Sequence, residues 1–115
     1  MPRASEFVDY VCELMAPLGR IRAKAMFGGW GLYCDERFFA IVISDTLYLK
    51  ADDVTRGAFI KAGQKPFVFV MKNAEQSLSY YTVPAEALED FAEMRPWAQL
   101  ALGAAGRAAA RKRKP

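Results

Sequence analysis

The sequence predicts an α+β fold: two layers, an antiparallel sheet of five to six strands, and helices on one face. Three observations carry this. Apolar residues recur at helical spacing at both ends of the chain. Between residues 22 and 50 the period changes to two, as in strands. The links between those strands are only a few residues long, and parallel pairs need crossovers of a dozen or more. The expected order is one helix, three or four strands, a helix, two strands and a helix.

The first helix spans residues 5–16, with Ser5 as N-cap. Phe7, Val8, Val11, Leu14 and Met15 form its apolar stripe, and Pro17 with Gly19 ends it. Arg22 to Phe27 alternates as a half-buried strand, followed by Trp30 to Cys34 and the turn Asp35-Glu36. Arg37 to Ile43 is apolar on both faces and reads as a central strand. Ser44-Asp45 is the next turn, and Thr46 to Lys50 the next strand. Asp52 and Asp53 cap a short helix reaching Ala62, with Phe59 and Ile60 as its buried residues and Gly63 as its stop. Pro66 to Met71 and Gln76 to Val83 form the last two strands, joined by a turn at residues 72–75. Helical sequence follows Pro84, and Pro96 suits the first position of a new helical stretch. That stretch, through Trp97, Leu100, Ala101 and Ala104, is expected to fray beyond Gly106.

Composition bounds the chemistry. The 115 residues fit one domain, and 53% hydrophobic with 25% charged is ordinary globular usage. The absence of histidine excludes His-dependent triads, Cys–His dyads and His-ligated metal sites. Two cysteines, Cys12 and Cys34, make no disulfide framework. Residues 1–8 lack the apolar core of a signal peptide, and no apolar run reaches membrane length. A soluble, cytoplasmic protein without a membrane partner is expected.

The net charge of +3 is unevenly placed. Arg107, Arg111, Lys112, Arg113 and Lys114 hold five of the 16 positive residues. Without them, 11 positive residues face 13 negative ones, so residues 1–106 carry −2. The basicity belongs to the end of the chain. The expected organisation is a domain over 1–106 and a basic, disordered tail over 107–115. That tail is the candidate nucleic-acid contact, acting through nonspecific attraction. Arg20, Arg22 and Lys24 form a second basic stripe, read as a charged edge strand or as a phosphate patch.

The most unusual segment is Met26-Phe27-Gly28-Gly29-Trp30-Gly31, with three glycines in four positions. It lacks the spacing of a dinucleotide fingerprint or a P-loop, and a strand follows it. A tight turn or bulge linking two strands, needing positive φ or close backbone approach, accounts for it better than a ligand cradle. Trp30 is a binding aromatic if exposed and core if buried. Tyr80 and Tyr81 point to opposite sheet faces, one to the core and the other towards a groove. Cys34 lies beside Asp35 and Glu36, which raise a thiol pKa, so it is read as structural.

Residues 22–35, then Phe38-Phe39-Ala40, Leu47 to Lys50, Pro66-Phe67 and Leu78 to Pro84, together resemble the N-terminal domain of the TfoX (Sxy) family. The resemblance covers roughly residues 5–105, ends with the Trp97 helix, and makes Met26 to Gly31, Tyr80, Tyr81 and Pro84 the family motif. It implies a two-layer α+β fold and a link to natural competence. Full-length regulators of the family act with the cyclic-AMP receptor protein on DNA-uptake genes. They carry a further domain resembling helix-hairpin-helix modules, and this chain ends where that domain would begin. The resemblance brings no catalytic residue and no cofactor. The function expected is a noncatalytic protein-interaction or regulatory module. Its partner would be a protein, the transcription machinery by family analogy, or a second copy. The alternative is a nonspecific nucleic-acid accessory protein using the basic tail. An enzyme or small-ligand binder built on the glycine-rich turn is the least favoured reading.

Overall fold

The computed structural model describes residues 6–26, 28–71 and 74–113, with backbone alone for 69–71, 74–78 and 112–113. Its elements are α1 (Glu6–Met15), a 3₁₀ turn (Ala16–Leu18), β1 (Ile21–Met26), β2 (Gly29–Cys34), β3 (Arg37–Ile43), β4 (Thr46–Lys50), α2 (Arg56–Lys61), β5 (Pro66–Met71), β6 (Ala74–Tyr81), a second 3₁₀ turn (Ala85–Leu88) and α3 (Phe91–Arg113). Six antiparallel strands lie in the order β1-β2-β3-β4-β6-β5. This is the α+β arrangement expected, with all three helices on one face.

Two-residue loops set the register. Cys34 pairs with Arg37 and Ile43 with Thr46. The loop residues Asp35, Glu36, Ser44 and Asp45 all have positive φ, between 50° and 68°. Mirror-image turns of this kind match the twist of a hairpin, at a steric cost for residues other than glycine. At the β1–β2 hairpin, Met26 pairs with Gly29 and Gly28 supplies φ +74°. Phe27 lies outside the described residues, as do Ser5, the residues 72–73 between β5 and β6, and Lys114.

The core sits between sheet and helices. Val8, Val11 and Met15 of α1 face Leu32, Cys34, Ala40, Val42, Leu47 and Leu49 of the sheet. Met94, Ala98, Ala101 and Ala105 of α3 complete it. A β-bulge where β2 meets β3 lets both Phe39 and Ala40 join the core, breaking strict alternation. Tyr10 donates its hydroxyl hydrogen to the Leu88 carbonyl, tying α1 to the turn before α3.

Four expectations are corrected. Phe59 is fully buried, but Ile60 is 56% exposed, because α2 has only six residues and turns one face to the core. Pro96 lies inside α3 and does not begin it. The lost hydrogen bond to residue 92 is offset by the apolar face that continues on both sides of the proline. The last strand is Ala74–Tyr81 and stops two residues short of Val83. The chain beyond 106 does not leave the fold at that point. Helix α3 continues through Arg113, carried by an alanine-rich sequence and favoured by cations in its last turns.

Candidate functional site

Strand parity decides what each sheet face carries. Ile21 and Ala23 of β1 pack against the core, so Arg22, Lys24 and Met26 point the other way. The register carries that helix-free face across the sheet through Gly29, Gly31 and Tyr33, then Phe38, Ile41 and Ile43, then Thr46, Tyr48 and Lys50, and on to Phe67 and Tyr80. None of these positions is acidic.

The face is packed against itself. Tyr33 stacks on Phe38 with centroids 5.2 Å apart, and Phe38 meets Tyr80 at 6.0 Å. Tyr48 meets Phe67 edge-on at 5.1 Å. Arg22 lies 4.5 Å above the Tyr33 ring, its fork held by Glu36 at 2.9 Å. Lys50 covers the Tyr80 ring at 5.1 Å and donates to the Tyr80 hydroxyl at 3.4 Å. Each cation–ring contact contributes about 0.5–1 kcal/mol at an exposed site. Burial, with Tyr33 nearby, pushes the Tyr80 hydroxyl up to about 12. The neutral Tyr80 hydroxyl is thus an acceptor for the Lys50 ammonium.

The glycines of the motif make this packing possible. A Cβ at Gly31 would lie 2.6 Å from Met26 Cε and 2.8 Å from Phe38 Cε1. A Cβ at Gly29 would lie 2.3 Å from the Val42 carbonyl oxygen. Met26, Gly29, Gly31 and Tyr80 thus converge on the helix-free face. Trp30 and Tyr81 belong to the opposite side. Trp30 packs against the core, and Tyr81 stacks on Phe59 at 5.6 Å. Pro84 accepts a hydrogen bond from the Ala87 N–H and starts the second 3₁₀ turn. The stripe is divided too: Arg22 and Lys24 share the face, whereas the Arg20 N–H donates to Asp35 Oδ1 at 3.0 Å.

A second feature is a cleft of about 590 Å³ between the end of β4, the turn into α2, β6 and the last turns of α3. Asp52 organises it. Its carboxylate accepts the Val54 and Thr55 N–H groups within the turn that leads into α2. The N-cap of α2 is Thr55, without a side-chain cap bond, so neither Asp52 nor Asp53 caps the helix as expected, because it begins only at Arg56. It also accepts a two-pronged bond from Arg107, Nε to Oδ2 at 2.6 Å and Nη2 to Oδ1 at 3.1 Å. The Arg107 hydrogen bond is the main cause holding Asp52 down at about 2. Arg56 donates Nη1 to Asp53 at 2.7 Å and Nη2 to Ser79 Oγ at 3.1 Å. Of the basic residues near the end of the chain, the cleft gathers Arg107 and Arg111. Lys112 and Arg113 are described by their helical backbone alone.

Burial raises both thiols, with Asp9 adding to the effect at Cys12 and Asp35 at Cys34. Among the described residues, no three His, Cys, Asp or Glu side chains gather as metal ligands, and no helix is long and apolar enough to cross a membrane. Sequence reading missed Lys50, Arg56 and Ser79. Tyr33, Phe38, Tyr48 and Phe67 were visible as aromatics, but their shared face needed the register and the bulge.

The family model described as the TfoX N-terminal domain matches residues 13–105. The DNA transformation protein TfoX of Haemophilus influenzae is 36% identical over 78 residues, which is 66% of this chain and 36% of that protein. The DNA transformation protein TfoX1 of Aliivibrio fischeri is 30% identical over 66 residues, 57% of this chain and 32% of that protein. The chain spans about a third of the length of these curated relatives. The matched stretch holds the whole sheet and most of α3, and this chain belongs to the TfoX N-terminal domain family.

Proposed function

We propose that the chain is a noncatalytic regulatory module in DNA transformation, and that it works by docking an acidic protein surface on its helix-free sheet face. One observation carries the reading. A face of five rings bears Arg22, Lys24 and Lys50 and no carboxylate at any of its strand positions. Glycines at 29 and 31 leave room for the close packing of Val42, Met26 and Phe38 beside them. Aromatic and arginine side chains are the usual anchors of protein interfaces, and a like-charged face disfavours a second copy meeting it head-on. The link to transformation rests on the names of the curated relatives.

The test is in-cell photo-crosslinking with a benzophenone side chain at Tyr48, on the face, and at Val54, off it. The reading expects an adduct from Tyr48 that disappears when Arg22→Glu and Lys24→Glu are introduced. Adducts from Val54 alone, or Tyr48 adducts indifferent to the charge reversal, would overturn it.

A further inference from the structure

The cleft beside α3 shares Lys50 with that docking face and none of the face's other named residues. Its walls carry Lys50, Arg56, Arg107 and Arg111 against Asp52 and Asp53. Each carboxylate is already matched by an arginine, Asp52 by Arg107 and Asp53 by Arg56. Arg111 has no acidic partner among the described residues. It follows Arg107 by one helical turn, about 6 Å along the axis. Helix α3 has no acidic residue after Glu93. Arg107 spends Nε and Nη2 on Asp52, and its Nη1 takes no part in that pair. The space between the cations is left by small side chains, Ala51, Ser79, Ala104 and Ala108.

Helix-dipole complementarity explains cations near the end of α3. It does not explain why two of them border a cleft of about 590 Å³ that Arg56 also lines. Forked arginine donors lining one cleft together with small residues suit a planar or tetrahedral oxyanion. We propose that this cleft binds phosphate, either from a nucleic-acid backbone or from a free nucleotide. Arg111 and the Nη1 group of Arg107 would be its first donors, and Asp52 its internal competitor. Asp52 then acts as a placeholder: it holds Arg107 in position while the cleft is empty and yields part of the fork when phosphate arrives.

That role gives the two principal variants opposite signs. Arg111→Ala removes a donor from an exposed position and should weaken binding about tenfold, flattening the salt dependence by about one charge. Asp52→Asn removes the competitor's charge, and the asparagine oxygen can still accept the Val54 and Thr55 N–H groups. It should tighten binding severalfold. Arg56→Gln, which keeps a donor for Ser79, should weaken binding and serves if Asp52→Asn does not fold.

The experiment is fluorescence anisotropy at low and moderate salt, using single-stranded oligothymidylate, a duplex, fluorescent ATP and a hexaglutamate peptide. The control variant is Lys112→Ala/Arg113→Ala/Lys114→Ala. Binding of oligonucleotide alone assigns the phosphate to a backbone, and binding of ATP assigns it to a nucleotide. Both results support the proposal provided that Arg111→Ala weakens them and Asp52→Asn or Arg56→Gln moves them as stated. Three outcomes overturn it: no binding of any phosphate probe at low salt, equal binding of hexaglutamate, or loss of binding in the triple control with no response to the cleft variants. The last would assign the attraction to the end of the helix.

Discussion

Replacing Gly29 with alanine tests the packing of the hairpin motif most sharply. The added methyl would lie 2.3 Å from the Val42 carbonyl oxygen and 2.6 Å from Ile43 Cδ1. Ile43 can rotate away, but Val42 is backbone in the central strand. Relief therefore requires β2 and β3 to separate locally, at the upper end of the overpacking range, about 3 kcal/mol. A domain of this size loses about 4 °C of Tm per kcal/mol, which gives a fall of roughly 12 °C. Gly28→Ala is the internal comparison. It meets no atom within 4 Å but sits at φ +74°, so it costs only the left-handed penalty, about 1 kcal/mol or roughly 4 °C. Gly31→Ala falls between them, because the obstructing Met26 thioether is flexible. The assay is thermal unfolding by circular dichroism. A Gly29→Ala protein melting within about 4 °C of the parent would refute the reasoning.

Three further outcomes follow from the same geometry. Asp52 has a folded pKa of about 2, below its ordinary 3.8. Its contribution is therefore present above pH 4 and lost as pH falls through about 2. The Tm gap between parent and Asp52→Asn should be full at pH 7 and close by pH 2, and a constant gap would contradict the ion pair. Phe59 is fully buried between Tyr81 and Trp97, so Phe59→Ala should cost about 3–5 kcal/mol by urea titration. Ile60→Ala, one residue away but exposed, should stay within about 0.5 kcal/mol. Ser44→Asn with Asp45→Gly replaces two residues at positive φ with the pair favoured in mirror-image turns. It should raise stability by about 1 kcal/mol, and a lower Tm would argue against the turn geometry.

The hairpins and the glycine turn were legible because each is a local event, decided by residues within a few positions of one another. The split of Tyr80 from Tyr81 followed from strand parity. What sequence could not supply depends on distant partners. Asp52 and Arg107 are 55 residues apart, and nothing local signals that a residue read as tail would pin helix to sheet. The bulge that sends both Phe39 and Ala40 inward breaks the alternation from which faces are read. Ile60 looked buried because it is apolar, but the short α2 offers only one covered position. Pro96 looked like a helix start because its cost is local and the packing that offsets it is tertiary. The motif glycines were read for a turn or bulge needing positive φ, which holds at Gly28, or close backbone approach, which holds at Gly29 against the Val42 carbonyl. At Gly31 the crowding comes from the Met26 and Phe38 side chains, which meet it only in the fold.

The most direct measurement of the docking account is the transformation frequency of the organism that carries this chain, with Arg22→Glu and Lys24→Glu introduced at the chromosomal locus and protein abundance checked. Both side chains are exposed on the edge strand, so the fold should persist, with a Tm change of only a few degrees. The account predicts at least a tenfold drop at unchanged abundance. Transformation at the parental frequency, with the charge reversal confirmed and the protein folded, would contradict it.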